Sequence, residues 1–237
     1  MKTDFLFRDD AYQQSTEANV LAITPSGGII VDKTIFYPTG GGQPGDRGTL
    51  SWGAGHSVAV TNTIYGEGRE TIALVPEQGS PLPAIGEKVT QTLDWPLRLL
   101  RMRVHTCLHL LTTVLPYPVT GGAIGDGDGR LDFDIPDAGL DKDAIESELA
   151  RRINMNADVT QEWITDEELL AKPDLVKTMS VKPPMGSGRV RLVRIAGLDL
   201  QPCGGTHVRN TFEIGKVLVT GIEKKGKQNR RVRIALA

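Results

Sequence analysis

A chain of 237 residues with 39% hydrophobic and 24% charged side chains is long enough for one large domain or two small ones, and its composition excludes a disordered or fibrous protein. No stretch approaches a membrane span, because residues 97–115 are interrupted by Arg98, Arg101, Arg103 and His105, and the start Met1-Lys2-Thr3-Asp4 lacks a basic-then-apolar leader; a cytoplasmic protein is expected. The net charge of −2 is unevenly spread: residues 1–90 carry six Lys/Arg against ten Asp/Glu and residues 181–237 twelve against three, so one end is basic.

In chain order, residues 1–90 are rich in glycine, threonine and valine. Alternating stretches at 19–24, 28–32, 58–65 and 71–75 are divided by Gly/Pro/Asn turns, the pattern of a small antiparallel barrel or sandwich. One more strand is expected at 88–93. Asp94-Trp95-Pro96 then opens a helix, with Asp94 as its cap and Pro96 in its first turn, which places the domain boundary near residue 94. The helix runs from about Pro96 to Leu115 and stops at Pro116.

A glycine-rich turn at 120–129 leads to a strand at 130–135. Asp141 caps a helix in which Ile145, Leu149 and Ile153 recur at helical spacing. A strand near 159–164, a short helix at 166–171, a loop at 182–188 and strands at 189–195, 211–221 and 230–237 follow. This order predicts an α+β sandwich with helices on one face of a mostly antiparallel sheet.

The chemistry gathers in two short segments. In His105-Thr106-Cys107-Leu108-His109 the two histidines are four apart on a helix, so their directions differ by about 40° and both imidazoles can share an ion. Cys107 points about 200° away from His105 and cannot join them. In Cys203-Gly204-Gly205-Thr206-His207 two glycines let the backbone fold tightly enough to bring a thiolate and an imidazole together. A disulfide between the two cysteines has little to recommend it in a chain with no leader, which leaves reduced thiols for metal. Three nitrogens and one sulfur suit a single tetrahedral zinc ion per chain. His56 reads as an ordinary surface residue in a turn. Asp199 and Gln201 either orient a ligand imidazole or cap the strand before the cysteine.

These segments make the sequence recognisable. Together with Phe36-Tyr37-Pro38-Thr39-Gly40-Gly41-Gly42-Gln43-Pro44, Asp46 and Gly48 before them, Gln201-Pro202 leading into the cysteine, and Lys225-Gly226-Lys227-Gln228-Asn229-Arg230-Arg231 after them, the chain resembles the alanyl-tRNA editing proteins and the matching editing domain of alanyl-tRNA synthetases. The blocks stand in family order and span nearly the whole chain; Cys107 departs from the small apolar residue expected there. The resemblance implies an elongation-factor-like β-barrel at residues 1–93 with the glycine-rich motif of the longer form. It implies a zinc-binding α+β editing domain, of the kind shared with threonyl-tRNA synthetases, at 94–237. No class II aminoacylation motif is read ahead of it, so the implied activity is editing in trans.

The implied reaction is hydrolysis of the ester joining serine, or glycine, to tRNA(Ala), with alanine spared. A pocket cannot exclude the smaller alanine by size, but a buried polar group that hydrogen-bonds the serine hydroxyl is left unpaired by alanine and discriminates strongly. Thr39, in the loop that the resemblance places against the zinc site, is the candidate for that group, with Gln43 supporting it; a turn residue is the plain alternative. Lys224, Lys225, Lys227, Arg230 and Arg231 are candidates to track tRNA phosphates, against a merely solvated hairpin. The same features admit a tRNA-binding module whose zinc is purely structural, and a zinc hydrolase of small esters that would leave the basic end unexplained. The reading favours a monomer.

Overall fold

Side chains alternate between buried and exposed along most of the strands of residues 1–93, and these strands close on themselves. In a computed structural model that describes residues 1–136, 139–179 and 188–237, the chain divides into two compact units, 1–99 and 100–237, with the division falling within one helix.

The first unit holds β1 (Asp4–Phe5), β2 (Ser15–Ile23), β3 (Ile29–Val31), β4 (Lys33–Thr34), β5 (Gly48–Trp52), β6 (His56–Tyr65), β7 (Ile72–Pro76) and β8 (Lys88–Leu93). Six of them form a closed barrel in the order β2-β3-β7-β6-β5-β8, every pairing antiparallel, while β1 and β4 pair in parallel beside it. Closure removes exposed strand edges. Val20, Val31, Leu50, Val58, Val60, Leu74 and Val89 fill the core together with Phe7 and Phe36. Strand β5 was not among the expected strands.

The glycine-rich block lies between β4 and β5. Gly40 and Gln43 exchange both backbone hydrogen bonds at 3.0 Å across Gly41-Gly42, whose φ values of 58° and 80° belong to the left-handed region that a two-residue hairpin turn of this hand requires. Asp46 is buried against Arg98. The Arg98 Nε donates to both Asp46 carboxylate oxygens at 3.0 Å, Nη2 donates to the Ile35 carbonyl at 2.6 Å and Nη1 to Ala11 at 2.9 Å. The Tyr37 N–H donates to Asp46 from the other side at 2.5 Å. This buried pair fastens the glycine-rich block to the last turn of chain in the unit, and removing one partner would leave the other charge uncompensated.

Helix α1 (Trp95–Val114) begins as expected, with the Leu97 N–H donating to the Asp94 carboxylate at 3.2 Å. The second unit then holds β9 (Val119–Ile124), β10 (Asp128–Asp134), α2 (Lys142–Ile153), β11 (Val159–Ile164), α3 (Asp166–Leu170), β12 (Val190–Ile195), β13 (Asp199–Pro202), β14 (Val217–Lys224) and β15 (Asn229–Leu236). Instead of one sheet there are two antiparallel ones, β14-β15-β10-β9 and β11-β12-β13. Asp141 caps α2 as expected, and Ile145, Leu149 and Ile153 are its buried residues, on a helix that packs against β14.

Two segments differ from the sequence expectation. The glycine-rich stretch at 120–129 is mostly strand, with a turn only at Gly125–Gly127; in this register Gly122 faces Leu131, whose Cδ2 would lie 2.8 Å from a Cβ at that position, so a larger side chain would crowd there. Residues 211–214 form a turn of 3-10 helix before β14. The Asn210 side chain accepts from the Phe212 N–H and the Glu213 carboxylate accepts from the Asn210 N–H, a local capping box that outcompetes the strand. Of the loop expected at 182–188, residues 182–187 lie outside the described residues. No helix among the described residues is long and apolar enough to cross a membrane.

Candidate metal centre

Helix α1 supplies half of the centre. His105 and His109 project from one face with ring centroids 5.2 Å apart. The loop after β13 supplies the other half: the His207 ring lies 4.2 Å from that of His105 and 4.5 Å from that of His109. The Cys203 thiol completes the group, its Sγ 3.5 Å from His105 Nε2 and 3.2 Å from His207 Nε2. One donor atom from each of the four residues lies within 4.8 Å of every other.

The donor set fits zinc. Nitrogen and sulfur ligands at the corners of a zinc tetrahedron sit about 3.3 to 3.6 Å apart, close to the two sulfur–nitrogen separations here. Such crowding of imidazoles has a cost without a cation between them. His207 is held well below the ordinary imidazole range, first by burial and then by the neighbouring His105. Burial opposes ionisation of Cys203, yet the neighbouring His105 and His207 imidazoles hold its thiol well below the ordinary range, and a thiolate is the form that binds metal. Cys107 is fully buried and burial pushes its thiol up to about 12, so it contributes no thiolate.

A buried carboxylate stands behind the ligands. Asp199 Oδ2 lies 3.3 Å from His109 Nδ1, close enough for charge pairing although off the line of a hydrogen bond. Burial opposes both charges, but the pairing wins: His109 is raised to about 9 with help from Cys203, and Asp199 is lowered to about 2 with help from Lys177. Lys177 forms an ion pair with Asp199, and Gln201 Nε2 donates to its Oδ2 at 2.6 Å. Both side chains also donate to Thr112 Oγ1 at 3.3 Å, and that hydroxyl donates to the His109 carbonyl at 2.8 Å. Carboxylates of this kind fix the ring orientation of a ligand histidine. Asp199 and Gln201 are therefore placed as orienting groups, while Lys177 carried no signal in the sequence.

Arg191 was also missed, for a topological reason. It sits on β12 with its backbone carbonyl accepting from the Cys203 N–H at 3.1 Å, and its Nη1 donates to the carbonyls of Cys203 and Gly205, both at 2.9 Å. Its Nε donates to Gln161 at 2.6 Å on β11. One guanidinium thus holds the Cys-Gly-Gly turn in shape, a partnership visible only once the strands are paired.

The other sequence candidates belong to neither helix α1 nor the loop after β13. Thr39 is in the first unit, exposed, with its hydroxyl accepting from the Gly45 N–H at 3.0 Å and reaching the Thr63 carbonyl at 3.2 Å. Gln43 is buried in the same block. Lys224, Lys225, Lys227, Arg230 and Arg231 gather at the β14–β15 hairpin. Two of these charges are already paired, Arg231 with Asp132 at 2.7 Å and Lys225 with Glu223 at 2.9 Å. His56 is an exposed strand residue.

Residues 190–233 match the family described as threonyl and alanyl tRNA synthetase second additional domain, and residues 6–97 match the family described as class II (A) tRNA synthetases. The chain is 34% identical over 235 residues to the alanyl-tRNA editing protein AlaX-M of Saccharolobus solfataricus, covering 97% of both chains. It is 31% identical to AlaX-M of Methanosarcina mazei over 99% of this chain and 96% of that one. An alanine–tRNA ligase of Pyrobaculum neutrophilum is 31% identical over 94% of this chain but only 26% of its own length. With these four His and Cys side chains converging as they do and whole-length relatives at this level, the chain belongs to the alanyl-tRNA editing protein family.

Proposed function

We propose that this protein removes serine from mischarged tRNA(Ala), with glycine as a second substrate, by hydrolysing the aminoacyl ester after the synthetase has released it, and spares alanine. The observation that carries the reading is the convergence of His105, His109, Cys203 and His207 within one buried cluster. One zinc ion held there supplies Lewis-acid polarisation of the ester carbonyl. The chain's own residues do the rest. Asp199 and Lys177 hold His109 in place, and Arg191 holds the Cys203 turn, so the donor atoms keep their spacing without reorganising when substrate arrives.

Specificity is assigned to Thr39, with Gln43 supporting its loop. The Gly45 N–H donation fixes the Thr39 hydroxyl, and the side chain is exposed. A hydroxyl fixed in this way can pair with the hydroxyl of serine, and because Thr39 is exposed in the free chain rather than buried as expected, it penalises alanine only where the bound substrate shields it from water. Phosphate contacts are assigned to Lys224, Lys227 and Arg230, with Lys225 and Arg231 available if substrate competes for their carboxylate partners.

A filled set of four protein ligands favours a second reading, in which the zinc is structural and the chain binds charged tRNA without cleaving it. Deacylation of Ser-, Gly- and Ala-charged tRNA(Ala) by the purified protein separates the two. The proposal expects serine released fastest and alanine essentially untouched; no release from any of the three supports the binding module instead.

A further inference from the structure

We propose that Thr106, the residue beside the first ligand histidine, is a positioning residue that sets which nitrogen of His207 faces the cluster and fastens the two halves of the centre together. The proposal rests on the metal reading of the four-residue cluster, and it concerns a side chain that touches neither substrate nor the ion.

The argument is a count of hydrogens. A threonine hydroxyl has one hydrogen to give and two lone pairs to receive with. Thr106 is fully buried, so each of these needs a partner. Its oxygen lies 2.9 Å from the Met102 carbonyl one helical turn back, which can only accept, so the hydroxyl hydrogen goes there. The Val208 N–H donates to the same oxygen at 3.2 Å. One lone pair remains, and His207 Nδ1 lies 3.1 Å away. With its own hydrogen committed to Met102, Thr106 is an acceptor toward His207, and the ring carries its proton on Nδ1.

That proton position has a consequence across the ring. Nε2 is then left with its lone pair, and it is the nitrogen that lies 3.2 Å from Cys203 Sγ, inside the cluster. The hydroxyl also ties α1 directly to the loop that follows β13, because it bonds both His207 and Val208. Threonine suits the position better than its isostere valine, which has the same shape and none of the three bonds. Leaving the His207 N–H buried without an acceptor penalises the ring orientation that binds metal.

The test compares the full-length protein with Thr106→Val and Thr106→Ser, reading zinc affinity by chelator competition and the His207 protonation pattern by nitrogen-15 NMR. The wild type should show the His207 proton on Nδ1 when zinc is bound. Thr106→Val should bind zinc 10- to 100-fold more weakly, the range found when groups behind metal ligands are removed, and Thr106→Ser should recover most of it. Wild-type affinity in Thr106→Val, or a wild-type spectrum with His207 coordinating through Nδ1, would overturn the proposal; the spectrum decides even if the valine variant fails to fold. Absence of zinc binding by the wild type itself would instead overturn the reading on which this one stands.

Discussion

At the scale of single residues, the pairing of His109 with Asp199 governs how the centre responds to pH. His109, raised to about 9 from 6.5, contributes stability that is fully present below pH 6.5 and lost as pH rises through about 9. Asp199, lowered to about 2 from 3.8, contributes above pH 3.8 and loses that contribution as pH falls through about 2. These are two views of one pairing, so the metal-free protein gains from it in full between pH 3.8 and 6.5. Zinc needs deprotonated ligands, and His109 is raised to about 9, so it still carries its proton at pH 7. Uptake at pH 7 should therefore release the His109 proton, a contribution gone by pH 10. A weakly buffered titration with an indicator measures this; equal proton release at pH 7 and pH 10 would contradict the raised His109. Thr39→Val tests the specificity assignment at the same scale. Loss of one hydrogen bond to the substrate should cut the preference for Ser-tRNA(Ala) over Ala-tRNA(Ala) by about 10- to 100-fold, measured as the ratio of kcat/KM values. An unchanged ratio would leave Thr39 as a residue of its own turn.

At the scale of elements, α1 is held against β10 by the lack of a side chain at Gly129. A Cβ there would meet Val104 Cγ1 at 2.6 Å and Leu108 Cδ1 at 3.3 Å, on the same helix as His105 and His109. Gly129→Ala should destabilise the fold by about 1 to 3 kcal/mol and weaken zinc binding, because the helix that bears two ligands must shift. Leu149→Ala on α2 is the contrast: it should cost about 2 to 5 kcal/mol in denaturant unfolding and leave zinc affinity of the folded protein unchanged. Equal effects of both on zinc affinity would mean that stability alone governs the site. What could be read from sequence follows the same division. Helices α1 and α2 announced themselves through Asp94, Asp141 and apolar spacing, since these signals are local. Strand β9 did not, because the need for glycine at Gly122 comes only from Leu131 across the register. The 3-10 turn after Asn210 carried a readable signal, Asn210 with Glu213 three residues on, that apolar alternation masked.

At the scale of the whole molecule, the basic character of the C-terminal region is less available than its count suggests. Arg231 and Lys225 are paired within the chain, and Arg233 pairs with Glu223 at 2.5 Å. Combined Lys224→Glu, Lys227→Glu and Arg230→Glu should weaken tRNA binding and reduce the slope of affinity against salt by about 2 to 3, whereas Arg231→Glu should mainly disturb β10 and β15 through Asp132. The clustering of His105, His109, Cys203 and His207 was legible because two pairs stood out as motifs in a chain with only four histidines and two cysteines. The groups that hold them, Lys177 and Arg191, come from other strands and loops and were not. Metal analysis of well-folded protein tests the central claim most directly: the account predicts about one zinc per chain, lost on Cys203→Ala, and stoichiometric absence of zinc from the folded wild type would contradict it.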